Sequence, residues 1–262
     1  MALLPRYYLY EIEDVEPEYL WPGWILKGLP SILFGEQGKG KTQLALSLVK
    51  SVCMGLPFPD GTMPPTGVVL YIEGENGRLE LRRRAKNMGI DVTENNKNFI
   101  IFTPFGKEAD FDFFYIDNKK GYNQLVELVG DVKPDWVIID PLVAFHKGNE
   151  INAVEMRRLI TIQTTIAQQF NCAWTCVFHP NKNQLATGIY RVRGSGDFTA
   201  SARNVLELLE KPNAPNNELI LRMAKINNSI FPDDLVFTID DMGIVHWTGE
   251  TIPRGRVDDR TQ

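Results

Sequence analysis

The sequence lacks the features that would place it in a membrane, in a disulfide-stabilised fold or in a strongly basic class of protein. It has no apolar run of about eighteen residues and no basic N-terminal stretch leading into a long apolar one, so we expect a soluble, cytoplasmic protein. Its three cysteines, Cys53, Cys172 and Cys176, show no C-x-x-C spacing, which argues against a disulfide framework or a zinc site and favours reduced core residues. Because the net charge is −5, any contact with nucleic acid has to be local.

Internal repeats and low-complexity tracts are also missing, which leaves the composition of one large domain. The 262 residues, 44% of them hydrophobic, suffice for a single α/β domain, which we place at residues 31–248. Residues 1–30, rich in Tyr, Trp, Pro and Glu, are expected to form an extended apolar lead-in that packs on this domain or on a neighbouring subunit. Residues 249–262 are polar and charged, and we expect a disordered tail.

A glycine-rich loop between a short strand and a helix dominates the N-terminal part of this domain. Residues 31–34 have strand character and lead into Gly35-Glu36-Gln37-Gly38-Lys39-Gly40-Lys41-Thr42, which matches G-x-x-x-x-G-K-[ST] at every position. Glycines let successive backbone N–H groups turn inward, and the N-terminus of the following helix adds partial positive charge. We therefore predict that residues 35–43 hold a nucleotide, with Lys41 at the β- and γ-phosphates and Thr42 on the magnesium ion that bridges them.

Buried strands and helices alternate after the loop, which predicts an α/β fold with a mostly parallel sheet flanked by helices. The last strands alternate enough to indicate an antiparallel C-terminal extension. The predicted strands are 68–72, 99–102, 135–139, 172–178, 205–209, 219–224, 235–239 and 244–247. The predicted helices are 43–54, 79–88, 122–129, 151–170 and a short one at 197–204.

Acidic or histidine side chains that could take part in catalysis or metal binding lie at the ends of three of these strands. Glu73 and Glu75 come after the strand at 68–72, and either could orient the water that attacks the γ-phosphate. Asp140 ends an apolar strand, as the second magnesium element of P-loop NTPases does. His179 follows the strand at 172–178, where it could hydrogen-bond the γ-phosphate and report its loss to the loop beyond.

Two long loops and one basic helix have competing interpretations. Residues 104–120 read as a loop packed by its own aromatic side chains, with adenine stacking as the alternative. Residues 180–196 form a loop of the length that is usually functional. Arg82, Arg83 and Arg84 are interpreted as a solvated helix face rather than a nucleic-acid patch.

The order of these features resembles the RecA-like hexameric ATPases, most closely the RepA-type plasmid replicative helicases, with the DnaB and KaiC types further off. The resemblance spans about residues 20–248 and depends on six landmarks: GEQGKGKT, YIEGEN, VIIDPL, FHPN, RVRGSGDFTASARNVLEL and LRMAKINN. It implies a RecA-like P-loop NTPase core that binds ATP and Mg²⁺. It further implies that Glu75 is the catalytic carboxylate with Glu73 as the fallback, that Asp140 is the magnesium-associated acid, and that His179 is the γ-phosphate sensor.

The resemblance also implies assembly into a ring, with each site completed by a neighbouring subunit. Arg203 and Lys225 lie where such families place the residues that act on the neighbour's nucleotide. Lys147 and the loop 180–196 would line the pore. There Lys182, Arg191 and Arg193 would contact the phosphates of single-stranded DNA and Tyr190 would stack on a base.

The chain also departs from the family pattern in two ways. It carries no appended primase-binding or DNA-recognition domain, so primer synthesis and site recognition are expected to come from partner proteins. Pro141 directly follows Asp140 and denies that position a backbone donor.

Two main functions remain open at this point. The first is a hexameric ATPase that moves on single-stranded DNA as a replicative helicase does. The second is an ATP-dependent switch or scaffold of the KaiC or recombination-mediator kind, without unwinding activity. A small-molecule kinase is a weaker third hypothesis, because no acceptor-site acid or basic lid cluster is recognisable.

Overall fold

A computed structural model describes residues 7–104, 115–147, 153–178, 202–214, 217–227 and 229–254. Within these ranges no helix is long and apolar enough to cross a membrane. All three cysteines are buried and free, as predicted for reduced core residues.

The strands within the described residues are β1 (Tyr19–Trp21), β2 (Ile25–Leu26), β3 (Pro30–Gly35), β4 (Val69–Glu73), β5 (Phe99–Phe102), β6 (Trp136–Asp140), β7 (Ala173–Phe178), β8 (Asn204–Glu210), β9 (Leu219–Lys225), β10 (Asp234–Ile239) and β11 (Val245–Ile252). Nine of these strands form the central sheet of the fold, and β1 and β2 form a two-stranded sheet beside it. The order in the large sheet is β11-β10-β9-β8-β3-β7-β6-β4-β5, with parallel pairing from β8 to β5 and antiparallel pairing from β8 to β11. The fold class predicted from the sequence is thereby confirmed.

Helices cover both faces of the sheet and divide the core in two. The helices are α1 (Lys41–Met54), α2 (Gly77–Asn87), α3 (Lys119–Val132) and α4 (Ala153–Gln169), with short 3-10 turns at Leu9–Glu11 and Leu142–Phe145. One cluster of buried side chains joins α1 and α2 to the sheet, and the other joins α3 and α4 to the opposite face. Because β3, β4, β6 and β7 are buried along their whole length, they read in the sequence as continuous apolar runs.

Several element boundaries differ from the prediction. The N-terminal lead-in contains a short antiparallel hairpin, β1 and β2, with a register shift between Tyr19 and Trp21. Trp21 stacks on Trp24 and Phe58 and donates from Nε1 to Asp60 at 2.8 Å. The loop expected to run to residue 120 ends earlier, since Asn118 caps α3 by accepting from the backbone of Gly121.

Two further differences lie near the C-terminus. Residues 197–201 of the predicted helix 197–204 lie outside the described residues, and Asn204 is the first residue of β8, where it pairs with Ser31. Residues 249–252, which were expected to belong to the tail, continue β11 and pair with β10, where Asp234 lies opposite Ile252. The sequence pattern did not predict this extension of β11. The alternation of apolar and polar residues ends at Trp247, and the later residues of the strand are mostly exposed and polar.

Candidate nucleotide-binding site

The glycine-rich loop connects β3 to α1 at the carboxyl end of the parallel strands, as the sequence predicts. Gly38 and Gly40 adopt positive φ angles of 77° and 94°, the left-handed region that favours glycine. A Cβ atom at Gly40 would lie 2.2 Å from Cδ1 of Ile239, whereas one at Gly38 would meet nothing within 4 Å. The loop is therefore packed against β10 on one side and open on the other, where an anion can approach its N–H groups.

Lys41 is the first residue of α1, and its side chain folds back over the loop. Its Nζ donates to the carbonyl oxygens of Gly35 at 2.7 Å and Glu36 at 2.9 Å. Burial lowers the pKa of Lys41 to about 8, although the carboxylates of Asp140 and Glu75 act in the opposite direction. A buried ammonium held only by neutral carbonyls gains directly from a phosphate, so the geometry fits the predicted role.

A hydrogen-bonded cluster joins α1, β4 and β6 beside Lys41. Oδ2 of Asp140 accepts from Thr42 Oγ1 at 2.8 Å and from the Tyr71 hydroxyl at 2.5 Å. Asp140 is 5% exposed and Tyr71 is fully buried. Burial raises the pKa of Asp140, while the hydrogen bonds from Tyr71 and Thr42 and the charge of Lys41 oppose that rise.

This cluster fits a magnesium site by the chemistry of its donors. Carboxylate and hydroxyl oxygens are the ligands that Mg²⁺ prefers, and it usually binds through one or two of them together with phosphate oxygens and water. Thr42 and Asp140 supply that pair at the end of the glycine-rich loop.

Glu73 and Glu75 have different environments, although the sequence could not separate them. Glu73 is fully buried, and its Oε1 accepts from the backbone N–H groups of Glu75 at 2.6 Å and Asn76 at 2.5 Å. Burial raises the pKa of Glu73, and its Oε2 has no hydrogen-bond partner within the described residues. Glu75 is exposed, yet its charge is felt at both Lys41 and Asp140.

The two carboxylates therefore suit different roles. Glu73 fixes the turn that carries Glu75, because it binds the backbone of that turn. Glu75 presents a solvent-accessible carboxylate beside the phosphate loop, which is what a residue that orients water requires.

A cavity of about 430 Å³ opens beside the glycine-rich loop. Its walls come from the loop and the start of α1, from the β8–β9 connection, and from Ile239 at the end of β10. Gln43, Asn213 and Asn217 contribute amide groups to it. Lys39 forms an ion pair with Glu210 across the same region and so ties the loop to the end of β8. The cavity continues from the phosphate loop and is of a size to take the rest of a nucleotide.

Arg203 and Lys225 lie near each other at the amino ends of the parallel strands, opposite the glycine-rich loop. Val205 of β8 pairs with Lys225, and Lys225 Nζ donates to the carbonyl of Ala202 at 2.8 Å. Burial lowers the pKa of Lys225, and the nearby charge of Arg203 lowers it further. Asn204 pairs with Ser31, at the end of β3 opposite the loop. Ser31 lies four residue steps, about 13 Å, before Gly35, so Arg203 and Lys225 lie at the ends of β8 and β9 away from their own chain's loop.

The remaining predicted residues fall partly outside the part of the chain that the structure describes. His179, Lys182, Tyr190, Arg191 and Arg193 all lie outside it, as does most of the aromatic loop considered for adenine stacking. Lys147 is described, and its Nζ lies 4.6 Å from the centroid of the Tyr115 ring.

Sequence reasoning missed Tyr71 and Glu210. A tyrosine within an aliphatic buried strand was the available signal for the first, because a buried hydroxyl needs a partner. Nothing in the sequence pairs Glu210 with Lys39, since 171 residues separate them.

The geometry defines a P-loop site for a nucleoside triphosphate on a RecA-like α/β sheet. Residues 10–185 match the family model described as an AAA domain, which covers more than half of the chain, and the chain therefore belongs to this family of ATPases. Among solved structures it is similar to the KaiC-like protein PH0186 from the hyperthermophilic archaeon Pyrococcus horikoshii OT3. The TM-score is 0.62 and the sequence identity 16%, over 89% of this chain and 100% of the other, which shows a shared fold.

Substitutions at the two glutamates are expected to differ in effect. Glu75→Gln removes the carboxylate that would orient water, and we expect ATP turnover to fall by about 10² to 10⁴ with nucleotide affinity little changed. Glu73→Gln keeps an oxygen that accepts from the Glu75 and Asn76 N–H groups and is expected to retain most turnover. Steady-state turnover and binding of a fluorescent nucleotide measure both effects. The reverse ranking would make Glu73 the catalytic carboxylate.

Tyr71→Phe removes only the hydroxyl that donates to Asp140. Because an outer hydrogen-bond partner orients a metal-binding carboxylate, we expect the Mg²⁺ concentration for half-maximal nucleotide binding to rise about tenfold. Titration of nucleotide binding against Mg²⁺ tests this, with Tyr122→Phe on α3 as the matched control. Identical Mg²⁺ curves for the two variants would show that Tyr71 has no influence on the site.

Proposed function

We propose that this protein hydrolyses ATP at the interfaces of a ring-shaped homo-oligomer and couples hydrolysis to movement on single-stranded DNA, as a replicative helicase does. The observation that carries the ATPase part is the pair of Thr42 and Asp140, joined at 2.8 Å next to the buried Lys41. In an α/β sheet this is where a nucleotide binds, at the carboxyl ends of the parallel strands.

Each residue of the site has a defined task in this proposal. The loop 35–43 binds the phosphates through its N–H groups, and Lys41 leaves the carbonyls of Gly35 and Glu36 to contact the β- and γ-phosphates. Thr42 and Asp140 would hold Mg²⁺, which supplies charge neutralisation between those phosphates when bound. Glu75 orients the attacking water and accepts its proton, while Glu73 keeps the turn of Glu75 in place.

The base and ribose are proposed to occupy the cavity between the glycine-rich loop and the β8–β9 connection. Its position next to Gly38 and Gly40 supports this assignment, because the phosphates and the rest of one nucleotide must lie within a few bonds of each other. Ile239 offers an apolar contact and Gln43 an amide for a base.

A neighbouring subunit is proposed to complete the site. Arg203 and Lys225 lie at the ends of β8 and β9 away from their own loop, which supports a role at the nucleotide of another copy. A cation delivered in this way can raise turnover by about 10³ to 10⁵. The fold shared with a KaiC-like protein is compatible with such an assembly, for which a hexamer is the proposed form.

The DNA-binding part of the proposal depends on the sequence landmarks around Lys182, Tyr190, Arg191 and Arg193. A motor and a nucleotide-dependent switch or scaffold differ in this property. If the chain is a motor, single-stranded DNA should bind with strong salt dependence and should stimulate turnover, and Arg191→Ala with Arg193→Ala should abolish both effects. Turnover that ignores DNA would favour the switch.

Subunit complementation tests completion of the site in trans. Chains with Lys41→Ala and chains with Arg203→Ala are each expected to be nearly inactive. In a random equal mixture, about one interface in four pairs an intact loop with an intact Arg203, so we expect about a quarter of wild-type turnover to return. Chains with Lys119→Ala, an exposed cation on α3, serve as the control and should keep full activity alone. A mixture as inactive as its components would exclude action across the interface.

A further inference from the structure

The N-terminal arm, defined here as residues 7–16, exposes an unusual amount of apolar surface. Tyr7, Tyr8, Leu9, Tyr10, Ile12 and Val15 are between 58% and 86% exposed. The 3-10 turn Leu9–Glu11 within the arm buries no residue. Exposed apolar side chains in such a continuous row are typical of a segment that another molecule covers.

The charge of the arm restricts the kind of surface that can cover it. Residues 7–16 contain four acidic side chains, Glu11, Glu13, Asp14 and Glu16, and no basic one. All four are exposed. A covering surface therefore has to combine apolar side chains with an excess of positive charge.

The outer face of α2 has this combination. Leu79, Arg82, Arg83 and Lys86 follow the i, i+3, i+4, i+7 spacing of one helix face and are all exposed. Leu79 is 79% exposed. At the other end of the helix, Asn87 donates to the carbonyl of Met242 at 3.3 Å, and Met242 is 64% exposed. We call Leu79, Arg82, Arg83, Lys86 and Met242 the α2 face.

The arm and helix α2 carry net charges of opposite sign. Helix α2 carries five basic residues and one acidic residue, a net charge of +4, against −4 for the arm. Glu80 pairs with Arg83 and Arg84, whereas Arg82 and Lys86 form no ion pair within the described residues. The arm is exposed and does not pack on its own α2, which leaves it available to the α2 face of another copy.

We propose that the N-terminal arm of one subunit docks on the α2 face of its neighbour. The apolar side chains Leu9, Ile12 and Val15 would cover Leu79 and Met242, and the acids between them would meet Arg82 and Lys86. Helix α2 begins at Gly77, two residues after Glu75, so docking places the neighbour's arm directly beside the catalytic carboxylate. This inference depends on the proposed homo-oligomer and names the contact that links its assembly to turnover.

Cross-linking between different chains tests the contact. One chain carries Ile12→Cys and the other Leu79→Cys, and a short bis-maleimide joins thiols that come within its reach. The native cysteines are buried and do not compete. The mixture should give a cross-linked dimer in at least several-fold higher yield than Ile12→Cys mixed with Ile230→Cys, whose residue is 85% exposed and lies between β9 and β10. Equal yields, or no dimer in either mixture, would overturn the docking.

Charge reversal then tests the electrostatic match. Adding Arg82→Glu and Lys86→Glu to the Leu79→Cys chain should abolish most of the cross-linking, and adding Glu13→Lys and Glu16→Lys to the Ile12→Cys chain should restore it. Lys119→Glu with Lys133→Glu, at the two ends of α3, changes the net charge equally and should have no effect. Loss without restoration would show that a different surface covers the arm.

The failure of this inference can be distinguished from failure of the proposed function. Turnover per subunit of the wild type that rises with protein concentration, together with no specific cross-link, would exclude only the arm contact. Turnover independent of concentration would exclude the assembly itself.

Discussion

The candidate site depends on one buried carboxylate, that of Asp140, which accepts hydrogen bonds from Thr42 of α1 and Tyr71 of β4. These three residues belong to three elements that the chain order separates, and they meet because β4 and β6 are neighbours in the sheet while α1 starts at the end of β3. A buried carboxylate is costly unless it is hydrogen-bonded, and the two donors offset part of the cost of burying Asp140.

The surrounding features follow from that contact. Lys41 lies beside Asp140 and is buried, so it depends on carbonyl oxygens until a phosphate arrives. Glu73 pairs with Asp140 across β4 and β6 and is buried as well. Its carboxylate accepts a hydrogen bond from the backbone N–H of Glu75. One buried row of side chains at the ends of β4 and β6 thus organises phosphate binding, the proposed magnesium position and the proposed water-orienting carboxylate.

Much of this arrangement could be predicted because it depends on local patterns. The residue types and spacing of the loop 35–42 predict a phosphate-binding loop. Fully buried parallel strands appear in the sequence as continuous apolar runs, and two of these runs end in Glu73 and Asp140. Four features could not be predicted. The bond from Tyr71 to Asp140 and the pairing of Lys39 with Glu210 are long-range contacts, and the last residues of β11 are too polar to read as a strand. The fourth feature is the position of Arg203 and Lys225 at the amino ends of the parallel strands, which could be located only from the register of β8 on β3.

The central claim is that Thr42 and Asp140 form the metal-binding end of a nucleotide site. The most direct measurement is a crystal structure of the protein with a non-hydrolysable ATP analogue and Mn²⁺, which anomalous scattering locates. The account expects the phosphates in the loop 35–42, Mn²⁺ between the phosphates, Thr42 and Asp140, and the direct 2.8 Å contact between the two side chains opened. A nucleotide bound in the loop with that contact unchanged and the metal elsewhere would contradict it.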